Sequence, residues 1–183
     1  MTIDKSRVII RPEKLTEYEE VNKLIYEAFS EQHGVEIGKF MMEHFIEERQ
    51  KETFIPELSL VAVLEDGTIV GEVAMHETDI ITENGSITQL TLAQTAVLPE
   101  YRMQGIMRML VEYALKEAKR MDYGAVFLGG NPKLYARYGF EPSCTYGIFH
   151  KDREKWGDEG FMVCILKNGV LDGVTGITYY YGG

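Results

Sequence analysis

Residues 86–128 commit the chain to an α/β fold before any other stretch is read. Ser86 to Val97 is rich in β-branched residues and predicts a strand. Pro99 lacks the N–H that a continuing ladder needs, so the strand ends there. From about Gly105 a helical period begins, with Ile106, Leu110, Ala114, Leu115, Ala118 and Met121 on one face. The apolar run Ala125 to Leu128 then predicts a short buried strand. A strand, a helix and a second strand in the same sheet form a crossover unit, which makes the two strands parallel.

The junction inside this unit carries chemistry. The first N–H groups of a helix have no partner within it and lie at the positive end of its dipole, an arrangement that suits a phosphate. Gly105 lets the backbone approach a bulky anion. Arg102 and Arg108 add charge of a geometry that matches phosphate. Met103, Gln104 and Gly105 include no Ser, Thr, Asp or Asn to cap the free donors from within. This pattern fits donors kept for a ligand, and water could serve them as well.

Bulk properties narrow the classes. A chain of 183 residues, 45% apolar and 26% charged, suits one globular domain over 1–183 with a real core. The net charge of −10 argues against nonspecific nucleic-acid binding, which needs a basic face. It also repels polyphosphates overall, which makes the local pair Arg102 and Arg108 informative. Cys144 and Cys164 show no metal-ligand spacing and read as reduced packing thiols. No metal is expected. No apolar run reaches the roughly 18 residues of a membrane span, and the first residues lack a signal-peptide core. A cytoplasmic location is expected.

The remaining elements follow in order. Arg7 to Arg11 is a short strand ended by Pro12. Leu15 to Phe29 is a helix with Val21, Leu24, Ile25, Ala28 and Phe29 inward. Glu36 to Gln50 is a second helix with Phe40, Met41, His44 and Phe45 on its buried side and Ile37 as a further candidate there. Leu58–Leu64 and Ile69–Ile80 are strands joined through Asp66-Gly67, a hairpin signal, and Asn84-Gly85 turns into the strand that begins at Ser86. In Gly129 to Phe140, Asn131 can cap a short helix, Pro132 can open it and Gly139 can end it.

The string Val97-x-Pro99-x-Tyr101-Arg102-x-x-Gly105-x-Met107 resembles the cofactor loop of the GCN5-related N-acetyltransferases (GNAT), whose motif is Q/R-x-x-G-x-G/A. Met103 stands where Gly is frequent, and Met107 where Gly or Ala is usual. Asn131-Pro132-x-x-Tyr135-x-Arg137-Tyr138-Gly139-Phe140 resembles a string of small bacterial members. The resemblance extends over nearly the whole chain and implies a single α/β (α+β) domain. It implies a mixed sheet of about six to seven strands, helices on both faces and a splayed parallel pair. It implies acetyl-CoA as cosubstrate, bound by Ala96, Val97, Leu98, Arg102, Met103, Gln104, Gly105, Ile106, Met107, Arg108 and Asn131. The backbone N–H near Val97 would polarise the thioester carbonyl, and Tyr135 would protonate the departing thiolate, a role that suits a phenol at neutral pH. Tyr138 reads as a core aromatic.

The base is left open among Glu72, His76, Glu77, Asp79 and a water chain, each side chain reading first as a solvated strand residue. The expected function is acetyl transfer to a primary amine by direct attack. The alternatives are a non-catalytic holder of CoA or acyl-CoA, and a fold without cofactor. The acceptor, a small molecule or a peptide amine, is not legible. No nucleic acid or membrane is expected as a partner, and the tail Tyr179-Tyr180-Tyr181 could be an edge strand or a dimer contact in a monomer or homodimer.

Overall fold

The structure, a computed structural model, describes residues 4–179, apart from the side chain of Trp156. It is mixed α/β, and the chain divides into two compact units interleaved in sequence. Within the described residues the first holds 4–75 and 94–114, the second 76–93 and 115–179.

The first unit starts with β1 (Ile9–Pro12), antiparallel to β2 (Phe54–Val63) from Ile9↔Val63 to Pro12↔Leu60. Between them lie α1 (Tyr18–His33) and α2 (Val35–Glu48), hinged at Gly34 with φ 94°. The two helices pack closely because Gly38 has no side chain: a Cβ there would fall 2.6 Å from the carbonyl oxygen of Tyr26. The unit also takes Ile69–Met75 of β3 (Ile69–Thr82), Gln94–Val97 of β4 (Gly85–Val97) and the start of α3 (Ile106–Arg120).

Val21, Leu24, Ile25 and Ala28 of α1, with Met41 and Phe45 of α2, bury against Val61, Val63, Ala74 and Ala96. Each such large side chain contributes about 1.5–3 kcal/mol. The opposite face of β3 receives α3: a Cβ on Gly71 would fall 3.0 Å from both Ile106 and Leu110. Helices thus cover both faces of this part of the sheet. Phe40 departs from expectation. It is 56% exposed and stacks on His44 with ring centroids 5.8 Å apart. Met41 and Phe45, four apart, define the buried stripe, and Phe40 lies one step off it.

In the second unit, β4 pairs in parallel with β5 (Ala125–Gly129) at Leu90↔Val126 and Thr91↔Phe127. Side chains of β4 hold the partner strand in place. Gln89 Oε1 accepts from the N–H groups of Gly124 and Ala125 at 3.1 and 2.8 Å, and Thr91 donates to the Phe127 carbonyl at 3.2 Å.

Next come α4 (Pro132–Tyr135), β6 (Glu141–Pro142), β7 (Ile148–His150), α5 (Arg153–Gly160), β8 (Phe161–Ile165) and β9 (Gly176–Thr178). β8 is antiparallel to both β5 and β6. β9 runs parallel to β7 and antiparallel to β3. Ile80, Phe127, Ile148, Phe161, Val163 and Leu171 form this unit's core.

Among the described residues the sheet is mixed and has nine strands, more than the six to seven expected, because β6, β7 and β9 are two or three residues long and show no sequence period. The added strand near the C-terminus is Gly176–Thr178, one step before the aromatic tail, of which Tyr180 and Tyr181 lie outside the described residues. Both cysteines are free, and burial pushes the Cys164 thiol up to about 11, in keeping with a packing role.

Candidate functional site

The loop between β4 and α3 folds as its sequence requires. A 3-10 turn, Pro99–Tyr101, follows the strand, and Met103 and Gly105 then take positive φ values of 58° and 85°. Met103 is a side-chain residue in the left-handed region, which explains why glycine is frequent at this place in the resembling family. Its side chain is fully exposed, and Met107 is half-buried. The first helical bond runs from Met109 N–H to the Gly105 carbonyl at 3.1 Å. Among the described residues the N–H groups of Ile106 and Met107 have no acceptor. Among the described residues no side chain accepts from the N–H of Ile106 or Met107. These are donors at the positive end of a long helix, beside a residue without a Cβ, and they fit a pyrophosphate.

Both arginines of the loop are engaged within the chain. The Arg102 guanidinium donates to the carbonyls of Val97 at 3.1 Å and Ala28 at 2.7 Å, and pairs with the Glu31 carboxylate. It clamps the start of the loop to the second half of α1. Arg108 pairs with Glu112 one helical turn on, at 2.7 Å. Lys5, which sequence reasoning missed, brings its ammonium to the glycine: a Cβ on Gly105 would fall 2.9 Å from Lys5 Nζ. At the end of β4, Leu98 N–H donates to the Val70 carbonyl at 3.0 Å, so that N–H belongs to the sheet. Ala96 is buried, Val97 and Leu98 are half-buried, and Gln104 donates to the Glu100 carbonyl at 3.1 Å.

The second constellation lies in the second unit. Asn131 caps α4, its Oδ1 accepting from Lys133 N–H at 3.0 Å; Pro132 opens the helix, and Gly139 closes the following turn at φ 86°. Tyr135 is half-buried, with Phe140 edge-on at 5.9 Å and Tyr138 at 6.3 Å. Gly130 makes room for its ring, since a Cβ there would fall 2.6 Å from Tyr135 Cε2. Tyr138 is half-buried rather than core. The Asn131 side chain serves the helix cap.

The acidic and imidazole candidates on β3 separate cleanly. Asp79 is exposed and accepts from Thr88 at 2.6 Å, and Glu77 accepts from Tyr123 at 2.6 Å. Glu72 and His76 are buried, not solvated as a lone strand suggests, and at Glu72 the reason is that helices cover both faces of that part of β3. Glu72 is 0% exposed and takes only long bonds from Gln94 Nε2, 3.3 and 3.4 Å to its two oxygens. It shares the face of β3 that carries Ala74, toward α1 and α2. Burial first, then the Glu13 carboxylate, holds the Glu72 carboxyl well above the usual carboxylate range, and it is neutral well past the pH at which an exposed Glu ionises.

A testable pH dependence follows from Glu72. The folded state keeps a proton that the unfolded chain releases, so this contribution to stability is complete below the unfolded value and is lost as pH rises toward the folded one. Glu72→Gln should remove a slope of up to about 1.4 kcal/mol per pH unit above roughly pH 5. Denaturant unfolding at several pH values measures it, and equal slopes for the two proteins would show that Glu72 ionises freely.

Among the described residues, no group of three or more His, Cys, Asp or Glu side chains is placed to hold a metal ion, and no helix is long and apolar enough to cross a membrane.

Comparison with known proteins adds the following. Residues 9–143 match the acetyltransferase (GNAT) domain family. The uncharacterized N-acetyltransferase YhbS of Escherichia coli K12 is 35% identical over 126 residues, which cover 68% of this chain and 72% of the relative. The N-acetyltransferase YjhQ of the same organism is 33% identical over 93 residues, 51% of each chain. The crystal structure of Escherichia coli YhbS in complex with CoA superposes with a TM-score of 0.83 at 27% identity, over 99% of this chain and 93% of that one. A GNAT acetyltransferase from Brucella melitensis in complex with acetyl-CoA shares the fold, with a TM-score of 0.74 at 20% identity over 95% and 96% of the two chains.

Proposed function

The chain belongs to the GNAT acetyltransferase family, and from that premise we propose that it transfers an acetyl group from acetyl-CoA to a primary amine by direct attack on the thioester. The observation that carries this reading is the loop at the start of α3. N–H groups at Ile106 and Met107 that have no acceptor among the described residues, the bare backbone of Gly105 and the Lys5 ammonium gather at the segment that resembles the family's cofactor loop. The YhbS structure with CoA, alike over nearly the whole chain, supports it.

Acetyl-CoA supplies an activated acetyl thioester, and the protein's part is to hold and polarise it. The N–H groups of residues 103–108 receive the pyrophosphate. Arg102, through Ala28 and Glu31, holds the loop in shape. The backbone N–H of Val97 polarises the carbonyl, and backbone groups of Ala96 to Leu98 receive the pantetheine arm, apart from the Leu98 N–H already given to Val70. Asn131 caps the short helix from which Tyr135 projects. As the amine nitrogen bonds to the carbonyl carbon, the carbon–sulfur bond breaks; Tyr135 gives its phenolic proton to the sulfur, and the proton lost by the amine passes to solvent.

Thiol release from acetyl-CoA, followed against a panel of small amines and peptides, tests the reading. The expected result is release that depends on the amine. Met107, in a place where Gly or Ala is usual, favours a second reading: a protein that holds CoA or an acyl form without turnover. Tight binding with no thiol release on any amine would select it.

A further inference from the structure

Resting on the acetyl-CoA reading above, we propose that Lys5 is a ligand of the cosubstrate's pyrophosphate, carried to the loop by the turn that precedes β1. The end of the Lys5 side chain lies along Gly105: a Cβ there would fall 2.9 Å from Nζ, 3.2 Å from Cε and 3.9 Å from Cδ. The approach needs a glycine, and Gly105 at φ 85° provides it.

The turn is anchored on both sides. Asp4 caps it, accepting from Ser6 N–H at 3.0 Å. Val8 is buried behind it, and Ile9 enters the ladder opposite Val63. The other charges on the turn answer one another: Arg7 lies 3.3 Å from Asp4 and 2.8 Å from Glu65. Lys5 forms no ion pair among the described residues.

Its ammonium instead stands beside Gly105 at the start of α3, where the N–H groups of Ile106 and Met107 have no acceptor among the described residues and carry positive charge. Two positive groups drawn to one point are a poor pair alone and a good pair around an anion. Arg102 is held by Glu31 and Arg108 by Glu112. Of these three cations, Lys5 is therefore the one without a carboxylate, in a chain whose net charge of −10 opposes a polyphosphate elsewhere. A lysine ammonium is a compact charge with three donors, well suited to bridge phosphate oxygens. The glycine at the centre of the loop is the place it reaches.

Calorimetric titration of the wild type, Lys5→Ala and Lys5→Arg with acetyl-CoA and with dephospho-CoA tests the proposal. Lys5→Ala should weaken both ligands by roughly tenfold, the size of one charge-assisted contact. Lys5→Arg should restore most of the affinity, and the unfolding temperature without ligand should not move. Unchanged affinity of Lys5→Ala for both ligands would overturn the proposal. A loss seen with acetyl-CoA but absent with dephospho-CoA would place Lys5 on the 3′-phosphate and overturn it as well. If the wild type binds neither ligand, the acetyl-CoA reading itself fails, an outcome distinct from a wild type that binds and a variant that binds equally.

Discussion

Replacing Arg49 with alanine should destabilise the protein by about 3–5 kcal/mol, a large share of the roughly 5–15 kcal/mol that holds a domain folded. Arg49 follows the last residue of α2, and its side chain is 5% exposed. Its guanidinium grips Glu13 with two bonds, Nε to Oε1 at 3.0 Å and Nη2 to Oε2 at 2.7 Å. It also donates to Asn22 of α1, and Ser59 of β2 donates to the same carboxylate at 2.6 Å. The rings of Tyr18 and Phe45 each lie 4.1 Å from its charge centre. One side chain thus ties both helices to the first strands.

Without Arg49, the Glu13 carboxylate, 2% exposed, would stay buried with no counter-charge. Adding Glu13→Leu to Arg49→Met should recover most of the loss, because a buried ion pair is often no better than apolar groups of its size. Urea unfolding measures both. A loss below about 1 kcal/mol for Arg49→Ala would put this pair among ordinary surface pairs and contradict the account.

Tyr135→Phe should lower the rate of thiol release by roughly a hundredfold or more, the usual contribution of a positioned acid. The substitution removes one hydroxyl and keeps the ring that packs on Phe140, Tyr138 and Gly130. Stability and the KM for acetyl-CoA should therefore change little. The loss should fall on kcat and kcat/KM together, as for an interaction made only in the transition state. Turnover equal to wild type across the pH range would remove Tyr135 from the chemistry.

What the sequence made legible was local. The caps and turns of the short helix, Asn131, Pro132 and Gly139, depend on side chains within a few residues, and they appear where expected. So do the Asp66-Gly67 turn between β2 and β3 and the switch from strand to helix between Val97 and Ile106. What was missed is long-range. The sequence does not show that Arg102 bonds Ala28 and Glu31 of α1, more than seventy positions away. Lys5 sits a hundred residues from Gly105 and belongs to no motif, and only the folded chain sets its side chain along that glycine. Glu72 looks like a solvated strand residue because an isolated strand does not show that helices cover both its faces, and the burial of His76 is equally invisible in the strand alone. Phe40 erred in the other direction, a large apolar residue one helical step from the buried stripe.

The central claim is that the loop before α3 receives acetyl-CoA, and thermal unfolding with and without that ligand tests it most directly. At a hundred times the dissociation constant, binding should stabilise the folded chain by about 2.7 kcal/mol. For a chain of this size that is a rise of roughly 5–10 °C. A rise of that order is the predicted result. An unchanged unfolding temperature at millimolar acetyl-CoA would mean that the loop binds no cosubstrate, and the proposed reaction would fall with it.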